Sequence, residues 1–195
     1  MIHSGNINEQ EILHLIRQNQ SSAIKTIYSC YIEHLTAVCS RYVICDEDVK
    51  DVLQDSFIKI VTSLNTFEYR GTGSIKAWLV RIVVNESLKF LKKNEKTDFL
   101  QYESDLPDAI DEDEDEADVR NVPVDLISDM IRLLPIGYRT VFNLFVFEKK
   151  SHKEIANLLN ITESTSTSQL YRAKKMLAKW INEYNEAAYE RGMDK

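Results

Sequence analysis

The feature that most constrains the fold of this chain is a long stretch without helix-interrupting residues. Neither glycine nor proline occurs between Asn6 and Arg70, and the whole chain has five glycines and three prolines. A β-sandwich or barrel needs frequent turns, and these two residues are the commonest turn formers. We therefore expect an all-α protein, because long helices need few turns.

Hydrophobic periodicity places the predicted helices in two groups. The first group covers residues 8–18, 21–43, 46–64 and, after a loop at 65–73, a helix that Ser74 can cap and that runs to about Lys93. The second group covers 124–133, a helix from Pro135 to about 148, then 151–160, and a last helix from Thr162 into the C-terminal tail. Two helical domains are therefore expected.

Charge is distributed very unevenly along the chain. The chain has 31 acidic and 24 basic residues, a net charge of -7, but eleven of the carboxylates lie in residues 97–119, which contain no Lys or Arg. Without that segment 20 acidic and 24 basic residues remain, a net charge of +4. Such a segment cannot fold alone, because like charges repel and little apolar surface is available for burial. We expect small domains at residues 1–96 and 122–195, joined by a flexible acidic linker at 97–121.

The clearest local motif lies in the second domain. Ser151 and Glu154 have the spacing of a capping box at the start of a helix. Asn160 suits the left-handed residue that ends a helix, and Thr162 can cap the next one. Two helices joined by so short a turn form a helix-turn-helix.

The helix that begins near Thr162 has two distinct faces. The side expected to be buried carries Ser166, Leu170, Ala173, Leu177 and Ile181. The opposite side carries Ser164, Thr167, Ser168, Tyr171, Lys174 and Lys175. Hydroxyls and a phenol ring can contact base edges while lysines contact phosphates, which favours DNA binding. The alternative is a solvated, lysine-rich helix that has no partner.

A second basic helix lies in the first domain. One stripe of this helix consists of Arg81, Asn85, Lys89 and Lys92. An asparagine among cations can hydrogen-bond a base edge, and nearby Phe67 and Trp78 offer rings on which unpaired bases can stack. An ordinary solvated face, and a place in the core for Trp78, remain as alternatives.

The helix predicted at 46–64 has an acidic face instead. It consists of Asp48, Asp51 and Asp55 with Val52 beside them. We expect the buried stripe on the opposite side, at Leu53, Phe57, Ile60, Val61 and Leu64. Carboxylates repel nucleic acid, so this face predicts a basic protein partner or plain solvent.

Several functional classes find no support in the sequence. It lacks the common nucleotide-binding and hydrolase motifs, and Ser151 and His152 are explained as a cap and a surface residue. Its three cysteines and four histidines lack metal-ligand spacing, so no enzyme, metal or cofactor is expected. The start of the chain does not resemble a signal peptide and no apolar run approaches bilayer thickness, so we expect a cytoplasmic protein without membrane insertion.

The motifs, in this order, resemble those of a bacterial RNA polymerase sigma factor of the extracytoplasmic function group. In the first domain they are residues 40–43 (SRYV), 48–59 (DVKDVLQDSFIK) and 78–85 (WLVRIVVN). In the second they are residues 134–142 (LPIGYRTVF), 151–156 (SHKEIA) and 168–175 (SQLYRAKK). The resemblance implies a dissociable subunit that binds core RNA polymerase and directs promoter recognition, strand opening and transcription initiation at a restricted set of promoters.

The resemblance also implies roles for individual residues. Polymerase binding, at the clamp helices of the largest subunit, falls on Asp48, Asp51, Val52, Gln54 and Asp55. Contacts to the downstream promoter element, including capture of a base flipped out at Asn85, fall on Phe67, Arg70, Trp78, Arg81, Asn85, Lys89 and Lys92. Contacts to the upstream element fall on Lys153, Ser164, Thr167, Ser168, Tyr171, Arg172 and Lys175. An anti-sigma factor is a further expected partner.

Two other functional classes remain compatible with the residues. One is a helix-turn-helix repressor or activator whose first domain dimerises or senses a signal. The other is a helical adaptor without a role on DNA. The acidic face at Asp48, Asp51 and Asp55, next to a basic helix, favours the sigma factor over both.

Overall fold

The computed structural model describes residues 9–18, 20–94, 118–120 and 122–193. These residues contain helices, turns and bends and no β-strand, which confirms the all-α prediction. The chain divides into two compact units, Met1–Lys96 and Thr97–Lys195. Apart from residues 118–120, the predicted linker at 97–121 lies outside the described residues, so a separate acidic tether stays a prediction.

Unit 1 (Met1–Lys96) packs a short helix and three longer ones around one core. The helices are α1 (Glu9–Gln18), α2 (Gln20–Ser40), α3 (Asp46–Ser63) and α4 (Ser74–Asn94), with a 3-10 turn at Leu64–Thr66. Helices α2, α3 and α4 contact one another, and α1 packs on α2. Fully buried Ile27, Leu35, Ile60 and Leu79 form the centre, and α1 contributes Ile12. Burial of one apolar face on each helix holds this unit together.

Unit 2 (Thr97–Lys195) is built around its last helix. The helices are α5 (Val124–Leu133), α6 (Ile136–Val146), α7 (His152–Leu159) and α8 (Glu163–Met193). Helix α8 contacts α5, α6 and α7. Ala173, Leu177 and Ile181 of α8 are buried against Leu134 and Tyr138, so α8 forms the spine of the core.

Buried polar groups fix how α5, α6 and α8 meet. The guanidinium of Arg139 is buried, and its Nη1 donates to the carbonyl oxygens of Arg132 at 2.9 Å and Leu134 at 3.2 Å, at the end of α5. A Cβ atom at Gly137 would lie 3.2 Å from Oε1 of Gln169, whose side chain is buried. Gly137 therefore lets α6 approach α8 closely.

The predicted helices are confirmed, with bounds that differ by a few residues. None of the helices in the described parts of the chain is long and apolar enough to cross a membrane. Ser74 does not cap α4 as predicted; it is the first helical residue, and the carbonyl of the preceding Gly73 accepts from Ala77 N–H at 2.9 Å.

Candidate nucleic-acid and polymerase interfaces

Residues 67–73, here called the capture loop, lead from the 3-10 turn into α4. Gly71 has φ +119° and Gly73 has φ +88°, and residues other than glycine rarely adopt this backbone conformation. The N–H of Arg70 donates to Ser74 Oγ at 3.3 Å, and the N–H of Ser74 donates to Gly71 O at 3.1 Å. The loop is therefore a compact turn that depends on its glycines.

A cavity of about 540 Å³ opens between the capture loop and the first turns of α4. It is lined by Thr66, Phe67, Glu68, Arg70, Ser74, Ala77, Trp78 and Arg81. The rings of Phe67 and Trp78 are half-buried, with centroids 5.1 Å apart and planes tilted by 48°. Trp78 is therefore neither fully in the core nor fully exposed, and part of its surface lines the cavity, which partly agrees with both interpretations of this residue.

The charged groups at this cavity are held loosely. Arg70 Nη2 lies 3.3 Å from Glu68 Oε2, and the two side chains are 81% and 78% exposed. Exposed ion pairs contribute little free energy, because water screens them and both side chains lose freedom in pairing. Arg70 can therefore exchange Glu68 for a phosphate at small cost.

The predicted basic stripe of α4 is exposed along its length. Arg81 lines the cavity, whereas Asn85 lies one turn further on, about 6 Å along the helix axis. Lys89 and Lys92 continue the stripe, and Lys89 Nζ lies 2.6 Å from Glu86 Oε1. The cavity thus brings together Phe67, Arg70, Trp78 and Arg81. The other three predicted residues, Asn85, Lys89 and Lys92, lie further along α4 and are not part of its lining.

The acidic face of α3 is present, with one correction. Asp51, Gln54 and Asp55 are exposed and Asp48 is half-buried. Val52 is only 2% exposed, so the prediction that it lies on this surface is wrong. The core side of α3 holds Val49, Val52 and Ser56, because α2 and α4 cover that side of the helix.

An apolar groove adjoins the acidic face. It has a volume of about 630 Å³ and lies between α2 and α3. Its lining consists of Ile24, Tyr28, Ile32, Lys50, Leu53, Gln54, Phe57, Ile58, Val61 and Thr62. Tyr28 and Ile58 are 52% and 56% exposed, and the rings of Tyr28 and Phe57 lie 5.1 Å apart.

The groove was not anticipated from the sequence. Phe57 and Val61 belong to the stripe expected to be buried, but they are only partly covered and line the groove. Ile58 lies on the exposed side of α3, where helical periodicity alone gives no reason to expect an apolar surface. Only the α2 side chains across the gap reveal that these residues form one surface.

The helix-turn-helix in α7 and α8 has the predicted caps. Ser151 Oγ accepts from Glu154 N–H at 3.3 Å, while Ser151 N–H donates to Glu154 Oε2 at 2.9 Å. Asn160 has φ 59° and ψ 48°, and Thr162 Oγ1 accepts from Thr165 N–H at 2.9 Å. The Ser151 backbone N–H and then Lys150 lower the pKa of Glu154 to about 2.

His152 connects the helices of the helix-turn-helix and is more buried than the surface residue expected. It is half-buried, and its Nδ1 lies 2.9 Å from Ser166 Oγ on α8. The ring also stacks on Phe145 of α6, with centroids 4.9 Å apart and planes tilted by 25°. One side chain therefore joins α6, α7 and α8, and a stacked aromatic pair adds to the stability of that junction.

The outer face of α8 presents the predicted DNA-contacting residues. On α8, Ser164, Thr167 and Lys175 are exposed and Ser168, Tyr171 and Arg172 are half-buried, while Lys153, which is also exposed, lies on α7. Thr167 Oγ1 donates to Glu163 O at 3.0 Å and Ser168 Oγ to Ser164 O at 3.1 Å. Their oxygens can therefore accept hydrogen bonds from base amines. Lys175 Nζ lies 6.0 Å from the centre of the Tyr171 ring.

No metal centre is evident in the described parts of the chain. Among those residues no three His, Cys, Asp or Glu side chains lie close enough together to hold an ion. Cys30 and Cys45 are exposed, Cys39 is buried, and all three are free.

Comparison with known proteins identifies the class to which the chain belongs. Residues 27–97 match the model for Sigma-70 region 2, and residues 125–177 match the model for Sigma-70, region 4. The chain is 27% identical to the ECF RNA polymerase sigma-E factor of Haemophilus influenzae, covering 88% of this chain and 94% of that protein. It is 24% identical to the RNA polymerase sigma-H factor of Pseudomonas aeruginosa, covering 88% and 92%.

A solved structure is similar at lower identity. It is the sigma factor RpoE of Bartonella quintana in complex with the anti-sigma factor NepR. The identity is 18%, the TM-score is 0.48, and the alignment covers 80% of this chain and 94% of that one.

The two matched regions, which together span more than half of the chain, are those of sigma-70-type transcription initiation factors. The chain belongs to this family, in its extracytoplasmic function (ECF) group, and it is a sigma factor that directs transcription initiation. Sigma factors bind core RNA polymerase and promoter DNA. Family membership therefore supports the sigma factor over the repressor and the adaptor considered above.

Proposed function

We propose that unit 1 both docks on the clamp helices of the polymerase's largest subunit and captures unstacked bases of the promoter. Unit 2 contacts the upstream promoter element through α8. The cavity beside the capture loop carries this proposal: it combines two aromatic rings with the cations Arg70 and Arg81. An unpaired nucleotide presents a flat apolar base and a phosphate, and these groups match both halves of that lining.

Strand opening follows from binding energy gained only after a base leaves the helix. Extruding a base costs a few kcal/mol, and stacking on an aromatic ring returns about 1–3 kcal/mol. Phe67 and Trp78 supply the ring surface. Asn85, one turn beyond the cavity, is placed to hydrogen-bond a neighbouring or protruding base edge, while Lys89 and Lys92 follow the phosphate backbone.

Polymerase docking is supported by the surface of α3. Exposed Asp51 and Asp55 lie on the same helix as the apolar groove, and Gln54 lines that groove. An exposed apolar surface next to charged residues is typical of protein interfaces. We infer a partner with basic and apolar side chains, and this inference replaces Val52 with Ile58 and Tyr28 as the apolar contacts.

Upstream recognition is supported by the rigid presentation of α8. Its first turns expose Ser164 and Thr167 at the end that a helix-turn-helix inserts into the major groove. Tyr171, Arg172 and Lys175 follow further along α8 and can contact the groove edge and phosphates, and exposed Lys153 lies on α7. These contacts make promoter binding dependent on salt, because bound phosphates release counterions.

Three further proposals rest on the family resemblance. The chain acts without catalytic chemistry of its own, since initiation uses the polymerase active site. It works in the cytoplasm, where polymerase and DNA are found. An anti-sigma factor as a regulator of this chain stays a prediction.

Reconstitution with core RNA polymerase on a promoter library tests the proposal. Asn85→Ala should reduce opening, measured by permanganate reactivity of unpaired thymines, and leave polymerase affinity unchanged. Asp51→Lys and Asp55→Lys should weaken polymerase affinity, with Glu11→Lys on α1 as an exposed acidic control. If no polymerase complex forms, the docking proposal fails; if Asn85→Ala lowers affinity and opening equally, Asn85 has a structural role.

A further inference from the structure

Helix α1 reaches the capture loop through two hydrogen bonds that span most of unit 1. Glu9 Oε2 accepts from the backbone N–H of Gly73 at 2.8 Å, across 64 residues of sequence. Gln10 Nε2 lies 3.5 Å from the hydroxyl oxygen of Tyr69 in the same loop. The loop that lines the cavity is therefore connected to a helix that takes no part in the cavity itself.

The position of Glu9 is set by how α1 docks. Ile12, one turn along α1, is completely buried, and α1 packs against α2. Burial, followed by the charge of Glu9, raises the pKa of Tyr31 on α2, so the Glu9 carboxylate also acts on α2. The burial of Ile12 and the packing of α1 on α2 therefore fix the helix that carries the Glu9 carboxylate.

The backbone N–H of Gly73 is held by a residue that lies outside the loop. Two bonds inside the turn, Arg70 N–H to Ser74 Oγ and Ser74 N–H to Gly71 O, are local. The N–H of Gly73 instead donates to the Glu9 side chain of α1. Glycine loses more conformational freedom on ordering than any other residue, so a turn with two glycines gains most from an external restraint.

The carboxylate also suits the start of α4. Gly73 directly precedes the helix, since its carbonyl accepts from Ala77 N–H. Unpaired amides and the helix dipole make this end positive, and an acidic group stabilises it. Glu9 thus acts on both the loop and the start of the helix that carries Trp78 and Arg81.

We propose that Glu9 is a positioning residue for base capture, which holds the capture loop so that Phe67 and Arg70 stay at the cavity when a promoter base arrives. This rests on the proposed function of the cavity. Glu9 itself touches no DNA in this scheme. Its effect is to order the loop beforehand, so that less conformational entropy is lost when the base binds.

A positioning role of Glu9 is distinguished from a purely structural one by the variants Glu9→Ala, Glu9→Gln and Glu11→Ala. Glu11 is exposed, lies two residues further along α1 and serves as the matched control. Glu9→Ala should lower the extent of promoter opening about 3- to 10-fold, the size expected for the loss of one hydrogen bond of ordinary strength. Glu9→Gln, which keeps an acceptor oxygen, should recover most of the loss, and Glu11→Ala should behave as wild type.

A promoter with an abasic nucleotide at the captured position gives the decisive comparison. That position is the one at which removal of the base impairs opening by wild-type protein most. On this template Glu9→Ala should add no further loss, because no base remains to be captured. An equal loss on both templates, or a fall in polymerase affinity or thermal stability of similar size, would make Glu9 a structural residue and overturn the inference.

The same experiment distinguishes the inference from the function on which it rests. Trp78→Ala is measured in parallel on the intact promoter. If Trp78→Ala impairs opening and Glu9→Ala does not, Glu9 has no positioning role and base capture at the cavity stands. If Trp78→Ala opens promoters as well as wild type does, base capture at the cavity fails, and the role of Glu9 fails with it.

Discussion

The two candidate DNA-binding surfaces of this sigma factor are built on different physical plans. In unit 1, rings and long cationic side chains surround an open cavity next to a loop that contains two glycines. In unit 2, short hydroxyl side chains lie on α8, which follows a short helix α7 that begins with a capping box and ends at left-handed Asn160. The His152–Ser166 contact joins the two helices. One surface has space and adaptable groups, while the other has satisfied backbone groups and little freedom.

The difference matches two forms of the same nucleic acid. A melted strand is flexible and presents ring faces, so a cavity with aromatic walls can gain energy from it. A duplex is stiff and presents a groove of fixed width, so a helix held in one orientation contacts it with the smallest loss of entropy. In the proposed function only unit 1 accepts a base that has left the duplex, which fits its open cavity, whereas unit 2 contacts intact duplex through a fixed helix.

The largest expected effect concerns the aromatic wall of the cavity. Trp78→Ala should reduce promoter opening about 5- to 150-fold, which corresponds to the loss of about 1–3 kcal/mol of stacking. Permanganate footprinting measures opening, and Trp78→Phe, which keeps a ring, should retain most of it. A loss of polymerase affinity or of thermal stability as large as the loss of opening would mean that Trp78 acts through the core.

The second prediction tests the rigidity of the helix-turn-helix. Asn160→Ala should destabilise unit 2 by about 1 kcal/mol, because alanine keeps the Cβ that a left-handed conformation crowds and lacks the polar side chain whose local hydrogen bonds let asparagine adopt it. Urea denaturation followed by circular dichroism measures this. Asn160→Gly is the matched control and should be close to wild type, since glycine adopts this conformation freely. Equal destabilisation by both substitutions would show that the Asn160 side chain matters, and its backbone conformation does not.

The third prediction concerns phosphate contacts on α8. Lys175→Ala should weaken binding to all promoter sequences alike and reduce the slope of log affinity against log salt by about 0.9. Lys179 lies one turn further along α8, 3.8 Å from Glu183, and Lys179→Ala is the control. The measurement is promoter binding by the polymerase complex over a series of salt concentrations. A sequence-dependent loss for Lys175→Ala would assign this lysine to base recognition.

The smallest expected effect is a pH dependence of unit 2. The pKa of Glu154 is lowered to about 2 by the Ser151 backbone N–H and Lys150, from the ordinary value of 4.5. The stabilisation is therefore complete above about pH 5 and is lost as the pH falls towards 2. Urea midpoints measured between pH 2 and 6 should fall less steeply for Glu154→Gln than for wild type. Parallel curves would show that the capping box contributes no pH dependence.

Much of the fold follows from short stretches of sequence, because helix formation depends on near neighbours. The capping box at Ser151 and Glu154 and the end of α7 at Asn160 use contacts within a few residues. The exposed stripe of Arg81, Asn85 and Lys89 follows from the period of a single helix. Such features can be predicted without knowing what packs against the helix.

Predictions about burial failed where the neighbouring helix decides. The sequence predicts that Val52 lies on the acidic surface, yet α2 and α4 cover it, while Ile58 is exposed at the groove. The sequence predicts a surface position for His152, yet this residue is half-buried and contacts Phe145 and Ser166. Helical periodicity indicates that two faces of a helix differ in polarity, but it does not indicate which neighbouring helix packs against each face.

The amino-acid pattern alone was enough for the order of the helices, the helix-turn-helix and the family, since these depend on local propensity and on motifs read along the chain. Three features exist only in the folded chain: the cavity at Trp78, the groove at Tyr28 and the hydrogen bond that Gly73 N–H donates to Glu9. The groove and the hydrogen bond join residues far apart in sequence, whereas the cavity gathers residues 66–81 around one turn. Packing among α1 to α4 sets the distances in the groove and the hydrogen bond. The candidate sites of unit 1 are therefore properties of its tertiary structure.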